Sequence, residues 1–393
     1  MSPARNKTLT GLGVGLVAAG AAAAVGVAAD RLVRARNTAI ALDSSETYER
    51  VADEELVVVA DDGVPLHVEV DHPTAPATGT GPVPTVVLSH GYTLSLRCWV
   101  FQRRALTAAG YRVVVWDQRG HGRSGTGSPE HYEVDQLGHD LAQVIAEAAP
   151  EGPLVLVGHS MGGMTIMSLA VEHHDLIRER VIGVAFVATS PGGLSDVDWG
   201  MGNLMGNLVR RLGPRAVGQL ADRQGVLASA RKAGRGIEDF LVDRYSFASP
   251  VPLGIVRLTG DMILSTRLDV VSHFMPGFDR HDKREALAQF IGVETLVLNG
   301  AGDLLTPPDH SEEIVRLVPG AEHVVVNDAG HIIMLEHPDV VSEQLLALIE
   351  RARRASVGHV DVRRKPRVRR TVTDLAQQRR VSRVQGRRRR RAG

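Results

Sequence analysis

A single cysteine, Cys98, serves the whole 393-residue chain, so no intramolecular disulfide can form and the redox compartment stays open. No internal repeat divides it, which sets aside repeat architectures. No Cys/His cluster has metal-ligand spacing. His173 and His174 are adjacent, so their side chains diverge on a helix, and neither a metal nor a cofactor is implied. Net charge is absent as well, with 45 Lys+Arg against 45 Asp+Glu, but the balance is uneven. Residues 351–393 hold 17 basic and 2 acidic side chains, which leaves 28 and 43 for the rest: an acidic body with a strongly basic tail. That tail has no aromatic residue on which a base could stack.

Residues 8–29, "TLTGLGVGLVAAGAAAAVGVAA", carry no charge, and as a helix they would span about 33 Å, enough for a bilayer core. We read them as an uncleaved anchor placing the protein at a membrane. The alternatives are a secretory signal cleaved after Val27-Ala28-Ala29, giving a secreted protein, and a soluble helix. Beyond a polar linker, runs of Val, Leu and Ile alternate with helical stretches: "PTVVLSHG", "YRVVVWD", "PLVLVG", "VIGVAFVA", "ETLVLNG" and "AEHVVVND". Such strands, apolar on both faces, predict an α/β fold with a mainly parallel sheet covered on both sides. "ELVVVA" and "PLHVEV" around Asp61-Asp62-Gly63 predict a hairpin. Residues 191–290 interrupt the alternation and are too long for a plain loop, so they predict a mostly helical insertion. The chain then divides into an apolar anchor or signal with basic flanks (1–36), a linker (37–54), a first core part (55–190), a cap (191–290), a second core part (291–354) and an Arg-rich disordered tail (355–393).

Chemistry concentrates where strands end. In "LVLVGHSMGG" a β-branched strand turns abruptly into a helix at Ser160, with Gly158 and Gly162 two residues before and after it, where strand and helix approach closely. This is G-x-S-x-G at a strand–helix turn, the nucleophile-elbow pattern. A serine needs a base. His331 follows the last strand on a short loop after Gly330, better placed than His337, His310, His323 or His159, whose side chain points elsewhere on the turn. A carboxylate must orient the imidazole. Asp303 emerges after "ETLVLNG" at the same sheet edge, with Asp309 and Asp328 as competitors. Oxyanion donors are expected from the backbone N–H groups of Met161 and Tyr92, with His90 and Gly91 shaping the loop before Tyr92. "WDQRGHGRSG" lacks the glycine spacing of a phosphate-binding loop and reads as a structural hydrogen-bonded loop built on Asp117, Arg119, His121 and Arg123.

"SHGY", "DQRGHGRS", "GHSMGG", "NGAGDLLTP" and "DAGHIIMLEHP", in that order, resemble the α/β-hydrolase superfamily, and more narrowly its esterase, lipase and proline-iminopeptidase-like branch. The resemblance covers about residues 55–352. It implies the α/β-hydrolase fold, an eight-stranded sheet, a helical cap at 191–290 and a triad of Ser160, Asp303 and His331. It also implies a serine hydrolase needing no cofactor. The expected substrate is a small lipophilic acyl ester, of short or medium chain or monoacylglycerol-like. Iminopeptidase or cofactor-free haloperoxidase activity on the same triad stays open, the former with Asp196, Asp198, Glu238 and Asp239 as an amine-holding patch. A non-catalytic ligand-binding module is the reading of a different class. For the tail, anionic lipid is expected ahead of nucleic acid. The oligomeric state is not legible.

Overall fold

The computed structural model describes residues 37–43, 46–194, 245–358 and 368–392. The stretch 8–29, the middle of the insertion and the four acids Asp196, Asp198, Glu238 and Asp239 lie outside the described residues. Among the described residues no helix is long and apolar enough to cross a membrane.

In chain order the elements are β1 (Glu54–Val59), β2 (Pro65–Asp71), β3 (Thr85–Ser89), α1 (Val100–Ala108), β4 (Arg112–Trp116), α2 (Val134–Ala148), β5 (Leu154–His159), α3 (Met161–Glu172), α4 (His174–Arg180) and β6 (Val181–Val187). After the insertion, which contributes α5 (Leu253–Ser265) and α6 (Leu268–Arg280), come β7 (Glu294–Gly300), α7 (Pro308–Leu317), β8 (Glu322–Val326), α8 (Ile333–Glu336), α9 (Pro338–Gly358), β9 (Val368–Val372) and α10 (Leu375–Ala392). The sheet runs β1-β2-β4-β3-β5-β6-β7-β8-β9. The β1–β2 and β2–β4 pairs are antiparallel and every later pair is parallel.

The pleat explains the continuous apolar strands. Val86, Leu88, Val113, Val115, Val155 and Val157 face one core with Leu106 of α1 and Val341, Leu345 and Leu348 of α9. Val87, Val114, Leu154 and Leu156 face the other, with Leu141 and Val144 of α2 and Ile166 and Met167 of α3. The strand order reverses at β3, so the loops after β3 and β5 flank the crevice where such sheets place ligands.

Four expectations are corrected. The sheet has nine strands rather than eight, because part of the supposedly disordered tail is ordered: β9 pairs in parallel with the edge of β8 from Glu322↔Val368 to Val326↔Val372. An edge strand offers a row of free backbone groups, and Val-Arg-Arg-Thr-Val satisfies them. Its two arginines meet acidic partners, Arg369 on Glu312 at 3.0 Å and Arg370 on Glu322. Residues 37–42 are helical rather than a free linker, and Ala39 and Leu42 are buried because they pack on apolar groups of the core. The insertion returns before 290: Lys283 N–H donates to Pro191 O, and Ala286, Leu287 and Phe290 already belong to the core beneath β6.

The "WDQRGHGRSG" loop holds the sheet's first edge in place. Arg119 is fully buried and forked, with Nε and Nη2 each 2.7 Å from Asp140 of α2 and Nη1 2.7 Å from Asp62 at the hairpin tip. The Arg119 hydrogen bond, opposed by partial burial, holds the Asp62 carboxyl down at about 2. Asp117 accepts from the N–H groups of Leu96 and Arg123 at 2.8 and 2.9 Å. Replacing Arg119 with Ala leaves Asp140 buried and unpaired, and is expected to lower the unfolding free energy by about 3–5 kcal/mol in urea titration. A loss below about 1 kcal/mol, the size of a surface pair, would show that the fork is not structural.

Candidate active site

Ser160 joins β5 to α3 with φ 51° and ψ −118°, a backbone that side chains rarely adopt. The flanking glycines make the turn sterically attainable. A Cβ on Gly158 would stand 2.4 Å from Gly162 O, and one on Gly162 would stand 2.2 Å from Ser89 O. The turn is pinned by Ser160 N–H on Val187 O at 3.0 Å and by the Thr189 hydroxyl on Ser160 O at 2.6 Å. Ser160 remains partly exposed between buried neighbours.

His331 and Asp303 meet as expected, with Nδ1–H donating to Oδ2 at 2.9 Å. Asp303 also accepts from the Thr306 hydroxyl at 2.9 Å and from the N–H groups of Leu305 and Thr306 at 2.8 and 3.0 Å. Burial alone would raise this carboxyl, but the His331 charge and these donors outweigh it and hold Asp303 below its ordinary value. The pair is therefore set for an ionised aspartate and a fixed tautomer, with His331 Nε2 left to act. No hydrogen bond closes between His331 and the Ser160 hydroxyl in this structure; catalytic contacts are often loose until substrate binds.

The competing groups are engaged elsewhere. His310 binds the Ser190 hydroxyl at 2.8 Å, His323 binds Asn299 at 2.8 Å, and His337 lies between Asp374 and Asp328 O. Asp309 and Asp328 are exposed. Tyr92 and Met161 both present backbone N–H groups that have no protein acceptor among the described residues, the free donors an oxyanion hole needs. His90 shapes the loop before Tyr92: its Nδ1–H donates to Gly91 O at 2.7 Å and its Nε2 accepts the Gln118 N–H at 2.9 Å. Gly91 lies against the elbow, since a Cβ there would stand 2.6 Å from His159 Nδ1 and 3.1 Å from Ser160 Cβ.

Three residues escaped the sequence reading. His159, judged to point elsewhere, instead donates from Nε2 to His331 O at 2.9 Å and so ties the nucleophile's strand to the base's loop. Glu336 accepts from Gly330 N–H at 2.6 Å and Ala248 N–H at 2.9 Å, fixing that loop from its other side. Gln118 bridges His90 O and the Thr165 hydroxyl, at 2.6 and 2.7 Å. Only the lone acid in "IIMLEHP" offered a signal, because a charge inside an apolar run needs a partner. Among the described residues no group of His, Cys, Asp or Glu could hold a metal ion.

Burial pushes His159 down to about 3 and His121 and His281 down to about 4, and it pushes His90 well below its ordinary value. The native state therefore keeps these imidazoles neutral, whereas the unfolded chain protonates them below about pH 6.5. Stability is fully present above that value and is lost as the pH falls toward 4. The denaturant midpoint should drop steadily across this window; a flat midpoint would contradict the assignment.

A family model described as "alpha/beta hydrolase fold" matches residues 84–338. The chain is 28% identical over 282 residues to the dihydrolipoyllysine-residue acetyltransferase component of the acetoin cleaving system of Pseudomonas putida, covering 70% of this chain and 65% of that protein. It is 29% identical over 264 residues to an sn-1-specific diacylglycerol lipase of Mus musculus, covering 66% and 79%. An esterase from Exiguobacterium antarcticum superposes with a TM-score of 0.59 at 19% identity, over 76% of this chain and 100% of that one. An esterase from Rhodococcus sp. reaches 0.60 at 22%, over 75% and 98%. At these identities the solved structures speak for the fold alone. Fold, strand order and family match agree: the chain belongs to the alpha/beta hydrolase fold family, and it is a hydrolase.

Proposed function

We propose that the protein is a serine hydrolase that cleaves a lipophilic carboxylic ester through an acyl-enzyme on Ser160, with His331 as base and Asp303 as the carboxylate that orients it. The observation that carries this reading is the buried Asp303–His331 pair, 2.9 Å apart, beside the strained Ser160 turn at the carboxyl edge of the sheet. His331 Nε2 takes the proton as Ser160 Oγ attacks the acyl carbonyl. Negative charge then gathers on the carbonyl oxygen between the N–H groups of Met161 and Tyr92. The imidazolium, stabilised by ionised Asp303, returns the proton to the departing alcohol. Water, activated by the same imidazole, releases the acid.

The apolar character of the substrate is supported by the cap. Val270 and Phe274 of α6 pack on Met161, the residue after the nucleophile, together with Tyr132 and Leu137. Tyr92 lies edge-on to Phe274 and Phe278 at 6.0 and 4.9 Å. A monoacylglycerol-like or short- to medium-chain acyl ester suits such a wall. Residues 8–29 would keep the enzyme at a membrane where such esters partition.

A fluorophosphonate probe should label the wild type and leave Ser160→Ala unlabelled. With p-nitrophenyl esters, kcat should fall by about 10⁴-fold or more in Ser160→Ala and by about 10⁴-fold in Asp303→Asn, which misorients the imidazole. Labelling at a residue other than Ser160, or undiminished turnover in either variant, would overturn the assignment.

A further inference from the structure

The C-terminal arm does more than complete the sheet. Asp374 caps α10 by accepting the Gln377 N–H at 2.9 Å, and the next turn docks on the body. Gln377 Nε2 donates to Pro250 O at 3.0 Å, and Gln378 Nε2 donates to Asp328 Oδ2 at 2.9 Å. The helical strap at 37–43 reaches the same segment from the other terminus. Asp43 Oδ1 accepts the Gly254 N–H at 3.1 Å, and Ala39 packs in the cluster that holds Leu253, Ile255 and Val256. The two termini therefore converge on Pro250–Gly254. From this end the chain continues back through 36 further residues, which include the uncharged stretch 8–29.

The charge at this end is unbalanced. From Leu375 to Ala392, α10 contains eight arginines and no acid. Arg379, Arg380 and Arg383 are exposed and form no ion pair among the described residues, although the body is acidic and Arg369 and Arg370 do find acidic partners. Self-docking of the basic helix on the body thus leaves those three unsatisfied. Exposed apolar side chains accompany them: Leu375 in the first turn of α10 is 58% exposed, and Ile40 on the strap is 49% exposed. Unpaired guanidinium groups beside exposed aliphatic ones match a surface of anionic headgroups over acyl chains. The absence of any aromatic side chain in the arm disfavours stacking on nucleic-acid bases.

We propose that the end of the molecule built by residues 37–43, Pro250–Gly254 and α10 docks on an anionic phospholipid bilayer, with the arginines of α10 over the headgroups. The surface presents the hydrolase to the bilayer whatever ester it cleaves.

The test uses the full chain carrying Ser382→Cys, an exposed position on α10, labelled with an environment-sensitive fluorophore; the native Cys98 is buried and out of the reagent's reach. Vesicles of phosphatidylcholine with phosphatidylglycerol should shift the emission, vesicles of phosphatidylcholine alone should not, and high salt should reverse the shift. Adding Arg379→Gln, Arg380→Gln and Arg383→Gln should weaken binding about fivefold per arginine, on the order of a hundredfold together, with hydrolysis of a soluble ester unchanged. No shift with anionic vesicles, or the same shift with neutral ones, overturns the proposal. An equal shift with duplex DNA at matched phosphate would replace the bilayer by nucleic acid. The fluorophore reports docking even if no ester is cleaved, so failure of the triad reading and failure of this one are separately visible.

Discussion

The left-handed backbone at Ser160 is the constraint around which the rest is arranged. A non-glycine residue at φ 51° carries a conformational cost of about 1–3 kcal/mol that no local sequence preference offsets. It persists because two close approaches over-determine it: Gly158 against the backbone of Gly162, and Gly162 against the carbonyls of Ser89 and His90. Those contacts require β3 and β5 to be neighbours in register, Ser89 opposite Gly158. Strain at one residue is thus held by the alignment of the two strands at which the sheet order reverses.

The base depends on a second set of restraints. The loop bearing His331 has no regular structure of its own, yet it is held from three directions. Asp303 fixes the ring, His159 holds the main chain, and Glu336 gathers N–H groups from Gly330 and the segment at 248–249. The C-terminal arm closes the outside through Asn327, Asp328 and His337. Buried carboxylates and neutral imidazoles in such a network cost stability unless every partner is present, so the site's precision and the fold's acid sensitivity have a common origin.

Glycine spacing, the Val/Leu/Ile strands and the positions of Ser160, Asp303 and His331 after them were legible in the residues. Each is a local pattern: the pleat and helix repeats determine which face is apolar, and a tight turn admits few side chains. The nine-stranded sheet was not legible, because an arginine-rich pentapeptide looks like solvated tail until the open edge of β8 and the acids Glu312 and Glu322 stand beside it. The insertion boundary was misplaced for a similar reason, since Ala286, Leu287 and Phe290 show their core role only under β6.

The sequence by itself determined the alternation of strand and helix and the three strand ends at which reactive groups emerge, since these follow from short-range sterics and periodic burial. Tertiary structure alone decided which imidazole meets which carboxylate, that His159 serves the loop of His331, and that both termini meet at Pro250–Gly254. Those facts depend on hydrogen bonds and packing between segments from 28 to 211 residues apart, whose partners are selected only when the sheet brings them together.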